Sequence, residues 1–375
     1  MDKLHYDIIK IIQKRLFNKE VLLDDVDLHS CLKLAHDHYL DCIIYEGLES
    51  LGYDLSNYKK NYNTLKTKGI VQDAELQSIC EALCENEIRY ISLKGSIIKS
   101  FYPECYTRQM SDLDILIDED NLKKVKKIME SLGYNQESNH GNHDVYFKVP
   151  FMNIEFHRNL IDQNYSLSHF FENPFKRAIC IDTYCYKFTD EDFYIFMTAH
   201  NAKHFKNGGH GLRTIVDEYL FIINHQNMNY DYINNRLKEM HLSTYEKRIR
   251  ELSFKIMTDQ ELNDDETILI DYIFSGSTYG TIENKVANDT LVVDGDIKKT
   301  KYVFNRLFPS YKQMKKIFPV LEKMPILLPL LYIVRMFRGL INHKHVRGEL
   351  QAVEKLDYQK IEKINKINEI VDLED

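Results

Sequence analysis

Three acidic residues carry the chemistry that this sequence suggests. Asp112 and Asp114 sit one residue apart in SDLDILI (111–117), and Glu155 lies in NIEFH (153–157). Alternate side chains of a strand share a face, so Asp112 and Asp114 point one way and Leu113 and Ile115 the other. Two carboxylates this close raise each other's pKa unless something relieves their repulsion. A metal ion, a basic side chain or solvent can each do so. If the NIEFH strand lies beside SDLDILI, the three carboxylates converge. Convergent oxygens on rigid strands suit Mg²⁺, which keeps positions for phosphate oxygens and water. Two such ions in one site activate an attacking hydroxyl and stabilise a leaving pyrophosphate.

Upstream, LKGSIIKS (93–100) places Gly95 and Ser96 where a strand gives way to a helix. A Gly-Ser pair there permits close backbone approach and presents N–H groups at a helix start, an anion site suited to a triphosphate. Ser96 adds a hydroxyl, and Lys94 and Arg108 are nearby cations. Each piece alone has an ordinary explanation: a tight turn, a capping acid, a solvent-facing glutamate. Their order along the chain is more specific than any member.

These residues need a scaffold. RYISLKG (89–95) reads as a short strand, GSIIKSFY as a helix closed by Pro103, and SDLDILI as a second strand. DEDNLKKVKKIMESLGY has acids at its start and Gly133 at its end, as a helix should. HDVYFKVP and FMNIEFHRNL alternate as two strands, joined as a hairpin at Pro150–Asn153. Helical periodicity dominates elsewhere, in LHYDIIKIIQKRLF, LKLAHDHYLDCIIYEGL and AELQSICEALCENEI, with NYKKNYN as a break, and again from about residue 188. The expected class is therefore α+β: a mixed-sheet unit at 89–187 between helical regions at 1–88 and 188–375. QKIEKINKINEIVDLED closes the chain as a charged helix or a frayed tail.

The run LKGSIIKSFYP…RQMSDLDILI…NIEFH resembles the nucleotidyltransferase superfamily with a DNA polymerase β-type palm, and within it the bacterial nucleotidyltransferase family proteins. The likeness covers about 88–160, with a weaker continuation to about 225, and includes the approach at Arg108 and the His157 that follows the third acid. Two departures are a longer gap between Gly-Ser and the acid pair, and Glu155 where many members have Asp. The resemblance implies that an NTP, ATP first, sets its phosphates on Gly95 and Ser96. Two Mg²⁺ ions, or Mn²⁺, bridge Asp112, Asp114 and the phosphates. Glu155 assists one metal or acts as base. A hydroxyl of a small molecule, protein or RNA attacks the α-phosphorus, takes NMP and releases pyrophosphate. An inactive nucleotide- or partner-binding module, and a toxin-like enzyme acting on tRNA or a protein, are the alternatives.

AHNAKHFKNGGHGLR (199–213) adds His200, Lys203, His204, His210 and Arg213. His200 and His204 share a helix face at zinc-compatible spacing, but no metalloprotease glutamate follows the first. The resemblance favours Lys203, His204 and Arg213 reaching the triphosphate or acceptor. Four-residue spacing pairs Asp217 with Arg213, and the KNGGHG loop has the flexibility to close that basic cluster over a ligand. His343, His345 and Arg347 read as surface. A net charge of −8 argues against a general nucleic-acid coat but leaves room for a local basic groove. Seven cysteines without a CxxC pair read as reduced thiols in a cytoplasm. The amphipathic N-terminus is unlike a signal peptide. PILLPLLYIV (325–334) is too short to span a bilayer and reads as a buried helix, with attachment to a membrane surface as the alternative.

Overall fold

The computed structural model describes residues 1–138, 142–161, 166–290, 292–293, 296–297, 299–341 and 343–373. Seven strands form one mixed sheet: β1 (Tyr90–Ser92), β2 (Leu113–Ile117), β3 (Asn135–Ser138), β4 (His143–Lys148), β5 (Met152–His157), β6 (Ile179–Asp182) and β7 (Cys185–Lys187). Their order is β3-β4-β5-β2-β1-β7-β6. β2 runs parallel to β5 and antiparallel to β1, and β1 runs parallel to β7. β4 and β5 form the hairpin expected from the alternation, turning at Pro150. β3, β6 and β7 lacked a sequence signal: NQES is polar, and β6 is exposed throughout.

Four helices precede the sheet: α1 (Lys3–Phe17), α2 (Leu28–Asp37), α3 (Asp41–Ser50) and α4 (Lys59–Glu85). LKLAHDHYLDCIIYEGL is two helices, broken at Tyr39, whose φ of 56° is left-handed. NYKKNYN is no break; after one tight turn it becomes the start of α4. The four-residue α5 (Gly95–Ile98) follows β1, and α6 (Leu122–Ser131) follows β2. After β7 come α7 (Asp190–Lys206), α8 (Leu212–Asn224), α9 (Tyr230–Glu239), α10 (Ser243–Thr258) and α11 (Asp264–Ser275). Then come α12 (Ile282–Asp289), α13 (Lys299–Leu307), α14 (Tyr311–Ile317), α15 (Leu328–Ile341), α16 (His343–Lys355) and α17 (Tyr358–Val371).

Both faces of the central strands are covered: one is apolar, and the other carries Asp114, Glu155 and His157 beside Ile91 and Leu116. Leu113, Ile115 and Ile117 of β2, with Ile154 and Phe156 of β5, pack on α4 and α6. The opposite face contributes Ile91 and Leu116 to a larger core shared by α1–α3 and α7–α11. Helices from before and after the sheet thus bury one another. The C-terminal α17 is docked rather than frayed: Ile361, Ile364, Ile367 and Ile370 are buried, and it packs on α10, α11 and α12. PILLPLLYIV departs from expectation. Within α15 and the turn before it, Ile326, Leu330, Ile333 and Phe337 stay exposed.

Candidate active site

The acid-bearing face of the sheet meets α7 and α8 across a cavity of about 450 Å³. Its floor is set by strand register. Parallel pairing puts Asp114 directly beside Glu155, and Leu116 beside His157. Glu155 and His157 are two apart and share a face. The β4–β5 hairpin adds His143 opposite His157. Counting outward from the Pro150 corner would have found His143; nothing else in the sequence marked it. Asp112 lies just ahead of β2 and also lines the cavity. Its carboxylate accepts from Ser111 Oγ at 2.8 Å, and Ser111 Oγ is 2.6 Å from Tyr279 Oη.

Asp114 is buried between Lys94 and His157. Lys94 Nζ donates to Asp114 Oδ1 at 2.7 Å, and His157 Nε2 lies 2.6 Å from the same oxygen. Burial alone would raise the Asp114 carboxyl, but Lys94 and His157 outweigh it and hold the group well below its usual range. Burial would likewise lower Lys94; Asp114 above all, with Asp112 and Glu155, holds it raised. His157 follows the same logic: desolvation is outweighed by its bonds to Asp114 and Glu155. Glu155 is lowered chiefly by its bond to His157. Asp112 differs, because burial and the Asp114 charge push its carboxyl upward. The reach of Lys94 depends on an uncommon backbone, φ 48° and ψ −119°. Such a conformation costs on the order of 1–3 kcal/mol and persists only where the surroundings impose it.

The turn after β1 differs from expectation. Gly95 lines the cavity, and a Cβ there would collide with Arg108 Nη1 and Met110 Sδ. Ser96 is set back: its N–H donates to Leu93 O at 3.2 Å, and its hydroxyl is buried without a hydrogen-bond partner. Arg108 is also committed. It grips Asp217 of α8 with two bonds, Nε to Oδ1 at 2.8 Å and Nη2 to Oδ2 at 2.7 Å. Tyr102 Oη adds a third bond to Asp217 at 2.6 Å. Asp217 therefore anchors Arg108, not Arg213 as the four-residue spacing suggested.

The helical wall brings His200, Lys203, His204 and Arg213 to the cavity. Arg213 donates to Gln109 O at 2.8 Å, and its guanidinium lies over the Tyr39 ring. His204 is lowered to about 4 by burial and by Lys203 and Lys94. His200 is lowered for the first reason and by Lys94. Both are neutral at physiological pH, so they offer hydrogen bonds rather than charge. The KNGGHG turn is packed, not free to close. Gly208 O accepts from Thr281 N at 3.1 Å, and the buried His210 lies 3.0 Å from Tyr245 Oη. Zinc finds no third ligand beside His200 and His204 among the described residues. The group whose donor atoms come together is instead His143, Glu155 and His157, all within 4.8 Å of one another. Tyr279 reaches the cavity mouth from the loop after α11, half-exposed and edge-on to Tyr39. No local pattern singled it out among 25 tyrosines.

A solved structure of the antibiotic-resistance factor ANT(2″)-Ia aligns over 42% of this chain and 85% of its own, at 13% identity and a TM-score of 0.32. No curated protein matches the chain in sequence. The sequence model of a family described as "Uncharacterised nucleotidyltransferase" matches residues 24–257, from just before α2 to the end of α10. That span includes both walls of the cavity, and the chain belongs to this nucleotidyltransferase family.

Proposed function

We propose that this cavity transfers a nucleoside monophosphate from an NTP, ATP first, to an acceptor hydroxyl and releases pyrophosphate. The observation that carries the reading is the register pairing of Asp114 with Glu155 on the cavity floor, with Asp112 at its rim. A divalent cation fits these donors. The raised Asp112 carboxyl is short of positive charge, and a hard cation between it and Asp114 would favour its ionised form. Asp112, Asp114 and Glu155 would hold it. His143, lowered by burial, adds a neutral nitrogen donor beside them, so Mn²⁺ is accepted beside Mg²⁺. When bound, the metal supplies charge neutralisation at the phosphates and a more acidic acceptor hydroxyl.

The chain's own groups do the rest. Lys94, Lys203 and Arg213 surround the phosphate path with positive charge, and Gly95 lets the backbone approach closely. Arg108 and Ser96 position the turn rather than touch phosphate. His204 donates a neutral hydrogen bond. Glu155, kept ionised by His157, accepts the acceptor's proton at a carboxylate oxygen. Tyr279 offers its half-exposed ring to the nucleobase. In purified protein with Mg²⁺ or Mn²⁺ and labelled NTPs, nucleotide should bind and pyrophosphate appear once a hydroxyl acceptor is present. Asp112→Asn with Asp114→Asn should lower turnover by on the order of 10³-fold or more. Unchanged turnover in that variant refutes the site.

A second reading has one observation behind it: Asp114 is already satisfied by Lys94 and His157. A module that binds nucleotide without transfer would suit such a neutralised site. It predicts saturable NTP binding with no pyrophosphate release across acceptor classes.

A further inference from the structure

The segment outside the cavity walls has a different electrostatic character. Residues 299–348 hold eleven lysines and arginines against one acid, Glu322, whereas the whole chain has 49 basic and 57 acidic residues. Glu322 is already paired with Lys315. Lys301, Lys312, Lys323 and Arg347 are exposed. The same segment displays apolar side chains. Ile326, Leu330, Ile333 and Phe337 follow at spacings of four, three and four, which makes one helical stripe. They are 84%, 56%, 48% and 64% exposed. The helix does not lack an inner face: Leu328, Leu331, Tyr332 and Val334 pack on Met314, Phe318 and Leu321. Val320 and Met324, on the turns that lead into it, are exposed as well.

We propose that α15 and the basic helices and turns that flank it in sequence form a docking surface for an anionic lipid bilayer, on which the protein lies peripherally. A helix with a large aliphatic and aromatic stripe, ringed by lysine and arginine, sinks that stripe to the headgroup–acyl boundary while its cations meet anionic headgroups. No helix among the described residues is long and apolar enough to cross the membrane. Charge separates this partner from others. A symmetric second copy would press two strongly basic faces together. A nucleic acid would use the cations but leave four large apolar side chains in water. The predominantly acidic remainder is repelled by an anionic surface, so only this face turns toward it.

The test is flotation of the full chain with phosphatidylcholine vesicles, with and without phosphatidylserine. Bound fraction should rise at least about tenfold with phosphatidylserine and fall in high salt. Ile326→Ser with Leu330→Ser and Phe337→Ser should abolish flotation, and Lys301→Glu with Lys312→Glu and Lys323→Glu should weaken it by about tenfold or more. Circular dichroism and NTP binding should stay unchanged in both, since these side chains are exposed and far along the chain from the site. The proposal is overturned if phosphatidylserine vesicles fail to bind. It is also overturned if both variants float like the parent, if tRNA binds through the lysines with no lipid binding, or if the serine variant only dissolves a dimer seen by ultracentrifugation.

Discussion

Two buried carboxylate clusters lie within this fold, and they behave in opposite ways. On the cavity floor, Asp114 faces Lys94 and His157 and is held ionised. Between α7, α8 and α10, Tyr194 Oη lies 2.5 Å from Glu218 and 2.7 Å from Glu246, and Arg250 bonds Glu246. There burial pushes Glu218 up to about 8, with Glu246 adding to it. Depth is common to both. The difference is direct contact: Lys94 and His157 both bond Asp114, whereas Arg250 bonds Glu246 and leaves Glu218 with Tyr194. A buried acid becomes a reagent only where the fold brings counter-charge with it. Where it does not, the acid keeps its proton and serves as a structural hydrogen-bonding group.

The largest effect that can break this contrast is removal of Lys94. Lys94→Met leaves Asp114 with His157 alone, so turnover should fall by about 10²-fold. The acid limb of the rate profile should move to higher pH, because the carboxylate loses a cation that favours ionisation. An unmoved limb would mean that Lys94 does not set the charge of Asp114. Next comes Gly95→Ala, which presses on Arg108 and Met110. It should raise KM for NTP about tenfold or more through the displaced turn, a change that steady-state kinetics reads directly.

Glu218 gives the opposite sign. Unfolded, it ionises near the ordinary glutamate value of 4.5; folded, at about 8. Between those values the folded protein holds a proton that the unfolded chain has lost, so its stability falls as pH rises through the window. Glu218→Gln should remove that slope and stabilise the protein by on the order of 2 kcal/mol at pH 8 and above. Denaturant titrations at pH 5 and pH 9 would show it, and parallel slopes in the two proteins would dismiss a protonated Glu218. The smallest effect belongs to His204→Gln. A histidine lowered to about 4 carries no charge between pH 5 and 8. Its replacement should cost less than about tenfold in turnover and leave the profile in that range unchanged.

Some of this was legible in the sequence for a local reason. Period-two alternation in SDLDILI and NIEFH places Asp114 and Glu155 on single faces, and the Pro150 corner sets the hairpin. Those signals span a few residues each. The remainder depends on contacts between distant positions. Arg108 meets Asp217 across 109 positions, and Tyr279 meets Ser111 across 168. Four-residue spacing made Asp217 the natural mate of Arg213, but a closer and better-buried partner won it. The same distance hides the fate of Ser96, whose place depends on how tightly the turn after β1 winds. The edge strand β6 is apolar at Ile179, Cys180 and Ile181 yet exposed throughout, because nothing among the described residues packs on that edge, and four residues are too few to mark it as a strand.

The Arg108–Asp217 clasp has a further consequence. It joins the loop before β2 to the middle of α8, and so links the two walls of the cavity at one edge. A planar, doubly bonded ion pair between buried partners is stiff in both length and direction. It acts as a gauge block: the gap between walls is set before any ligand arrives.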